Sequence, residues 1–514
     1  MSDPSRTMRL AGVDIGTLTC RLLIADLLPG RRLREVRSER QILRLGEGVD
    51  QTKQLSVTAM DRVLQCLKEW RETINTSHVD ATAVVATSAV RDATNRNEFL
   101  DRVKREAGFE IELISGEEEA RRTMLGIRSG LPIGVTDVLA LDIGGGSTEF
   151  ILDRPGQNPV VRSIDIGVVR LCERLLQHDP PTNEEIRQAR EWVTKETKAA
   201  VAGMGNYQTA TFVGTAGTVT SLAAMAQQLP TYEPVRIHDY VLHFDTIQDL
   251  EQTLLSHKKT DRAGLPGLEK GREEVIAAGA IIIRTIMETL GMSAVLVSDL
   301  GLREGVLINM LADMDIEIRK LFHRIHEEAI QLFYRWKIYR QLFAGGQENL
   351  NLLNRSGSNV FALLQGLIQE NVILTLCRLT DPEKIGAYEN LSLRNLLGKA
   401  EAVLETNVHT DLLEKLEQLT NLTGKLRVHR SKRIVHLDLV HAINPERLPE
   451  VQYAEVEEVL SSLESVMREL HRLILDADTS YREPAIEYGC DGNHLLQTLK
   501  SIHGHQEHEK ESNL

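Results

Sequence analysis

The chain is poor in cysteine, and the few cysteines it has are scattered. Its 514 residues include five, at positions 20, 66, 172, 377 and 490, and no two of them form a CxxC pair. A zinc knuckle or a disulfide framework is therefore not expected. Reduced thiols and a cytoplasmic location are the expectation instead.

Long apolar runs and a surplus of positive charge are also missing. Residues 1–9 contain no apolar signal core, and no apolar run is evident that would span a bilayer, so no membrane association is predicted. The formal net charge of −14 argues against broad nonspecific binding to nucleic acid. A composition of 42% hydrophobic and 26% charged residues is that of a globular protein with room for several domains.

Glycine-rich turns between short apolar strands are the main positive feature. In residues 138–150 an apolar run ends at Asp142, and apolar residues resume after Glu149. Glycines allow a tight bend with inward N–H groups, and such a turn cradles phosphate oxygens. The two bracketing carboxylates suit a divalent metal on a phosphate, although a glycine hairpin with solvated acids would look the same. The candidate phosphate-binding residues of this turn are Gly144, Gly145, Gly146, Ser147 and Thr148.

Two further turns repeat this form. Residues 11–26 place Asp14 in a strand ahead of a hydroxyl-bearing turn that contains Thr17 and Thr19. The Asp-Ile-Gly sequences at 14–16 and 142–144 predict two similar half-domains that face one another, with a phosphate chain between them. A third turn after an apolar strand contributes Gly214, Thr215 and Gly217, which could hold more phosphates or a nucleoside.

The motifs together resemble the exopolyphosphatase and guanosine pentaphosphate phosphatase family, whose fold is that of actin, sugar kinases and heat-shock ATPases. The resemblance covers residues from about 8 to 312 and implies the same two-lobed fold and phosphoanhydride hydrolysis. One departure concerns the first turn, where the family usually has Ser-Asn-Ser and this chain has Thr17, Leu18 and Thr19. The matching segments, in chain order, are 13–17, 86–93, 114–121, 141–149, 166–171, 214–218 and 297–305.

The resemblance also implies roles for single residues. Glu119 matches the catalytic glutamate of the family, which would orient and deprotonate water in line with the terminal phosphorus. Taken alone, residues 115–120 are an ordinary helix start, because acids favour the positive end of the helix dipole. Arg91 would grip a phosphate with its planar guanidinium, although an ion pair with a neighbouring acid is the plain alternative. Asp142 and Glu149 would hold Mg²⁺.

After about residue 313 glycine becomes sparse and helical periodicity dominates. Arg430 and His436 resemble the Arg-x(4–6)-His motif of HEPN domains, and the following Leu437 and Asp438 are reminiscent of their AbiU2-like branch. That resemblance implies a homodimer and, in HEPN ribonucleases, attack on an RNA phosphate. A solvated basic patch is the alternative, and no aromatic stacking platform accompanies the motif.

The predicted fold class is α/β: two actin-like lobes, 1–128 and 129–312, followed by an all-α bundle over 313–490 and a disordered polar tail over 491–514. The predicted function is Mg²⁺-dependent release of terminal phosphate from polyphosphate or guanosine pentaphosphate. The alternative is a module that senses these anions and is coupled to a HEPN-like ribonuclease or dimerisation domain. RNA would then bind only through the C-terminal domain.

Overall fold

The structure is a computed structural model, and it describes residues 8–28, 32–401, 403–435, 448–475, 477–482, 484 and 491–511, with side chains up to residue 503. The chain divides into two compact units, one that ends at Ala312 and one that begins at Asp313. His436, one of the predicted HEPN pair, lies outside the described residues.

The first lobe is built on a five-stranded sheet in the order β3-β2-β1-β4-β5. The central strand β1 is buried along nearly its whole length, because it pairs with β2 on one side and β4 on the other and is covered on both faces. The strands are β1 Arg9–Ile15, β2 Thr19–Leu28, β3 Arg32–Ile42, β4 Ala81–Ala86 and β5 Glu112–Leu113. The helices are α1 Val49–Thr52, α2 Val57–Thr76, α3 Ser88–Asp92, α4 Arg96–Ala107 and α5 Gly116–Gly130.

The second lobe contains a six-stranded sheet in the order β10-β11-β9-β6-β7-β8. Its apolar helix α12 packs against α6, α7, α8 and α10, and their side chains share one buried cluster. The strands are β6 Val138–Ile143, β7 Thr148–Asp153, β8 Val160–Ile164, β9 Thr211–Thr215, β10 Val241–His243 and β11 Ala294–Val297. The helices are α6 Val168–Leu175, α7 Asn183–Val201, α8 Ala216–Ala226, α9 Pro234–Ile237, α10 Phe244–Ser256, α11 Lys259–Arg262 and α12 Ile276–Leu290.

The two sheets share one strand pattern. In the first, three antiparallel strands, β3-β2-β1, are followed by β4 and β5, both parallel to β1. In the second, β8-β7-β6 are antiparallel, and β9 and β11 follow in parallel. The duplicated half-domains predicted from the two Asp-Ile-Gly sequences are therefore present. In both halves the glycine turn joins the central strand to its antiparallel neighbour.

In the part of the second unit that the structure describes, the regular elements are helices apart from a ribbon of two short strands. The long helix α13, Leu302–Phe343, contains the point at which the chain divides. The helices that follow are α14 Gln347–Leu379, α15 Leu393–Ala400, α16 Thr406–Leu422, α17 Gly424–His429, a π-helix Arg430–Ile434, α18 Tyr453–Leu475 and α19 Gly492–Glu511. The ribbon consists of β12 Lys384–Ile385 and β13 Tyr388–Glu389.

Two sequence expectations for this unit differ from the structure. The segment 491–514, expected to be a disordered tail, contains α19, because Leu496 is buried in the helical core and the N–H of Gly492 donates to Gln341. Helix α14 is long and apolar enough to cross a membrane, and only 22% of its most apolar stretch is buried. The expectation that the chain has no apolar run long enough to span a bilayer was therefore wrong. Polar residues interrupt the apolar residues of this helix, so the run is not evident as a continuous stretch of the sequence.

Candidate active site

The two phosphate turns meet face to face between the lobes. A Cβ atom placed on Gly145 would lie 2.9 Å from the Cβ of Thr17 and 3.1 Å from the backbone nitrogen of Leu18. Glycine is therefore required at this position by the close approach of the opposite turn, as expected where backbone meets backbone. The hydroxyl of Thr17 is 2.8 Å from that of Ser88, which begins α3.

A cavity of about 70 Å³ lies between these turns, and most of the predicted site residues line it. The acids come from strand ends and a helix start: Asp14 near the end of β1, Asp142 near the end of β6 and Glu119 in the first turn of α5. The predicted residues that line the cavity are Thr17, Thr19, Glu119, Asp142, Gly144, Gly145, Ser147 and Gly217.

Glu119 is held at the cavity by the first turn of α5. Ser115 caps this helix by accepting a hydrogen bond from the N–H of Glu118 at 3.1 Å. The guanidinium of Arg91 lies 3.5 Å from Oε2 of Glu119 and donates to the carbonyl of Ile114 at 3.0 Å. Burial and the nearby carboxylates Glu149 and Asp142 raise the pKa of Glu119 well above its usual value, against the opposing effect of Arg91. A carboxyl with a raised pKa beside a cationic group is suited to proton transfer.

Asp142 and Glu149 face each other across the β6–β7 hairpin as a directly opposed pair. Burial and the charge of Asp142 raise the pKa of Glu149 to about 8, although it accepts a hydrogen bond from Ser163 at 2.8 Å. Burial raises the pKa of Asp14 to about 6, and its Oδ1 has no hydrogen-bond partner among the described residues.

These crowded carboxylates fit a divalent cation, which would relieve their mutual repulsion and use the unpaired oxygen of Asp14. Among the described residues, no group of three or more histidine, cysteine or acidic side chains could hold a metal ion by itself. A cation here would accordingly take one or two carboxylates and complete its ligand set with water and phosphate oxygens. That is the usual coordination of Mg²⁺ in phosphate-binding sites.

Other predicted residues lie beside the cavity, away from its lining. Thr148 and Thr215 donate their hydroxyls to the carbonyls of Ile166 and Leu300, so these side chains are engaged by backbone. Gly214 lies against the side chains of Val219 and Val295. Gly146 lines a smaller adjoining space. Arg91 contacts the lining residue Glu119 through their ion pair, and Glu149 lies opposite the lining residue Asp142 in the β6–β7 hairpin.

Two arginines that lie outside the predicted site residues, Arg21 and Arg272, also line the cavity. Arg272 is 3% exposed, its Nε donates to Glu269 at 2.7 Å, and its Nη2 has no hydrogen-bond partner among the described residues. Arg21, two residues after Thr19, lines the same space. A buried guanidinium with an unused donor is suited to an anion. Arg21 belongs to the first hairpin, and the alternation of side chains along its strand could have indicated that Arg21 lies on the same face as Thr19. Arg272 lies in no recognisable motif.

Leu18, the departure in the first turn, has an identifiable structural role. Its side chain is 5% exposed and belongs to the apolar cluster of the second lobe, while its carbonyl accepts from the N–H groups of Leu43 and Arg44, each at 2.9 Å. The leucine therefore packs the first turn onto the opposite lobe. The turn keeps its hydroxyls but has apolar packing where an amide would offer hydrogen bonds.

In the helical unit, Arg430 opens the π-helix, and its Nη1 donates to both carboxylate oxygens of Asp381 at 2.8 Å. Arg427 donates to the same carboxylate at 2.7 Å. The predicted arginine is thus oriented by a buried acid. Its predicted partner His436 is among the residues not described.

The duplicated sheets and the facing glycine turns define a two-lobed protein of the actin type with an acidic cavity between its lobes. Comparison with known proteins narrows this class. The Ppx/GppA phosphatase family model matches residues 23–314, and the chain belongs to the Ppx/GppA phosphatase family. Residues 315–495 match the AbiU2 model of the HEPN type.

Individual relatives match the same N-terminal region. Exopolyphosphatase 2 of Mycobacterium tuberculosis is 34% identical over 316 residues, which are 59% of this chain and 98% of that protein. A Ppx/GppA family member from Aquifex aeolicus has a solved structure that is 34% identical, with a TM-score of 0.52 over 60% of this chain and 99% of its own. An exopolyphosphatase structure from Cytophaga hutchinsonii is 28% identical, with a TM-score of 0.55 over 60% and 98% of the two chains.

Proposed function

We propose that this chain is a Mg²⁺-dependent exopolyphosphatase that removes the terminal phosphate from a phosphate chain by attack of water. The observation that carries the proposal is the position of Glu119, a buried carboxylate with a raised pKa that lies beside Arg91 and lines the cavity between the phosphate turns. The names of the relatives, exopolyphosphatases, support this substrate class over other uses of the actin fold.

The residues of the site have different roles in hydrolysis. The backbone N–H groups of 145–147 and the hydroxyls of Thr17 and Thr19 bind phosphate oxygens, whereas the N–H of Gly144 closes the turn by donating to the carbonyl of Ser147. Arg21 and Arg272 add positive charge to the wall of the cavity, where it stabilises the negative charge on the transferred phosphoryl group. Mg²⁺, held by Asp142 with Glu149 or Asp14, would neutralise charge on the phosphate oxygens when bound.

Glu119 orients the attacking water and accepts its proton, so that the new oxygen–phosphorus bond forms as the phosphoanhydride bond breaks. The neighbouring Arg91 favours the ionised form of Glu119 that this step requires. The product is orthophosphate and a chain one phosphate shorter. Guanosine pentaphosphate presents the same terminal anhydride and is proposed as a second substrate on that ground.

The test is phosphate release from polyphosphate and from guanosine pentaphosphate, each with Mg²⁺ and with EDTA. Glu119→Gln should lower the rate by roughly 10²–10⁴, the scale of a lost general base, and leave substrate binding largely intact. Glu117→Gln is the matched control, because Glu117 is an exposed acid in the same helical turn. Wild-type turnover by Glu119→Gln would contradict the assignment.

A second activity is proposed for residues 315–495 because they match the AbiU2 model and orient Arg430 against Asp381. An arginine held in this way can clamp an RNA phosphate while a histidine moves a proton. Cleavage of RNA by the full-length protein should then be lost in Arg430→Ala and in His436→Ala. An RNA-cleaving activity that both variants retain would remove the pair from consideration. If the wild-type protein cleaves no RNA under any condition, including with guanosine polyphosphates added, dimerisation would be left as the role of the unit.

A further inference from the structure

The second lobe contains a groove that takes no part in the hydrolysis described above. Its walls come from residues 181–198, 248–256 and Arg284, which lie on or beside α7, α10 and α12. The groove has a volume of about 900 Å³ and shares no lining residue with the catalytic cavity. Spaces of this size hold small-molecule ligands in many proteins.

Three charged side chains meet in this groove: Glu251 is buried, whereas the side chains of Arg190 and Arg284 are 34% and 18% exposed. Glu251 is 1% exposed, and its Oε2 accepts from Nη2 of Arg190 at 2.8 Å and from Nη1 of Arg284. Two guanidinium groups thus share one carboxylate, which leaves one positive charge without compensation. The Nε atoms of both arginines, and Oε1 of Glu251, have no hydrogen-bond partner among the described residues. Guanidinium groups whose Nε donors are buried and unused are stabilised by a further anion.

The rim adds positive charge. Lys198 is exposed near the end of α7, and its ammonium group has no ion-pair partner among the described residues. Arg187 pairs with Glu184 and Glu191, and Lys195 lies 3.8 Å from Glu196, so these two contribute less. The uncompensated charge therefore lies at Lys198 and the arginine pair. It is a local concentration of positive charge in a chain whose net charge is −14.

We propose that this groove is a second anion site, which binds the phosphate chain of an oligophosphate and does not hydrolyse it. Arginine presents a planar pair of donors that matches phosphate oxygens, and the nearby lysine supplies a mobile point charge. Turnover is not expected, because the buried carboxylate of the groove is held by two arginines and no glycine turn borders it. The candidate ligands have a chain of phosphates in common, which is either free or attached to a nucleoside.

The experiment counts the tripolyphosphate molecules bound per chain by equilibrium dialysis of the full-length protein in EDTA, with released phosphate monitored. Two sites are expected in the parent protein. In Lys198→Gln and in Arg284→Gln the groove site should weaken by about tenfold or more, the effect of losing a charge-assisted hydrogen bond. Lys104→Gln, an exposed lysine on α4 of the first lobe, is the control of equal charge change and should retain both sites.

Lys198→Gln changes an exposed side chain that has no ion-pair partner among the described residues, so it tests the groove even if Arg284→Gln does not fold. Guanosine triphosphate in place of tripolyphosphate separates the two sources. Equal affinity assigns the groove to the phosphate chain alone, and tighter binding assigns it to a nucleoside polyphosphate. One site in the parent, or two undiminished sites in Lys198→Gln, would overturn the proposal. Loss of activity in Glu119→Gln tests the catalytic site separately and does not affect this count.

Discussion

At the scale of single residues, the site depends on how closely two glycine turns approach each other. Gly145→Ala would place a Cβ atom 2.9 Å from the Thr17 side chain and 3.1 Å from backbone of the opposite turn. The backbone cannot yield cheaply there, so the turns should separate and the rate should fall on the order of 10², the effect of a displacement near 1 Å at a reacting centre. Gly264→Ala in the same unit, whose added Cβ would come no closer than 3.7 Å to another atom, is the control. Steady-state phosphate release by the two variants decides the matter, and equal rates would refute the steric account.

The proposed metal ligands give a second prediction at this scale. Asp142→Asn removes a charged oxygen from the cavity, so a higher Mg²⁺ concentration should be needed for half-maximal activity, because carboxylates are the preferred ligands of this ion. Asp153→Asn, at the far end of the same hairpin, is a suitable comparison because Asp153 pairs with Arg128 away from the cavity. Coincident Mg²⁺ titrations of both variants and the wild type would reject the role of Asp142.

Residue patterns alone could predict the turns but not every side chain that completes the site. The glycine and hydroxyl positions follow from local sequence, because a tight bend needs them in a fixed order. Glu119 could not be separated from Glu117 and Glu118 by local rules, since all three suit a helix start, and only the resemblance distinguished it. Arg272 was missed because its approach to the cavity is set by packing of the second lobe, which no local pattern records.

At the scale of elements, α5 matters because it carries Glu119 in its first turn. Arg121, and then Arg122, hydrogen-bond to Glu118 in that turn and lower its pKa to about 2, despite the opposing effect of partial burial. A carboxyl with a lowered folded-state pKa stabilises the fold above its unfolded value of about 4.5. The contribution is lost as the pH falls from there toward about 2.

Glu118→Gln should therefore lower the free energy of unfolding by about 1 kcal/mol at neutral pH, the scale of a partly exposed ion pair. The difference from wild type should shrink as the pH falls below about 4.5. Urea denaturation at pH 7 and pH 3 measures both values, with Glu117→Gln as the exposed control. A difference that is the same at both pH values would show that the ion pairs are not its source.

Helix periodicity in the sequence predicted several elements well and failed at others for identifiable reasons. The apolar spacing of residues 96–107 and the glycine at 108 are local signals that predict a helix there, and α4 spans Arg96–Ala107. The sequence pattern predicts a helix only from about residue 357, whereas α14 begins at Gln347. Gly357 has a non-helical conformation between two helical segments, and the pattern indicates only the second of them. Helix α19 was missed because the polar composition of the segment outweighed the buried Leu496.

At the scale of the whole molecule, the last element of the N-terminal unit is the first part of α13. Leu302 and Val306 pack in a buried cluster with Val85 and Ile114 of the first lobe. Leu307 lies so near β1 that a Cβ on Gly12 would be 3.1 Å from it. The residues 302–312 thus complete the core of the lobes, although they belong to a helix that continues to Phe343.

A piece ending at residue 312 should accordingly fold and release phosphate from polyphosphate, because it contains both lobes, every phosphate turn and the part of α13 that covers the first sheet. A piece ending at residue 300 keeps every catalytic residue but exposes the apolar surface left by Leu302, Val306 and Leu307. Burial of three such side chains stabilises a fold by roughly 5–9 kcal/mol, which is comparable to the stability of a whole domain. The shorter piece should therefore be unfolded or aggregated by circular dichroism and size-exclusion chromatography. If it were folded and active, α13 would be dispensable to the lobes, and if the longer piece were inactive while folded, hydrolysis would require the helical unit as well.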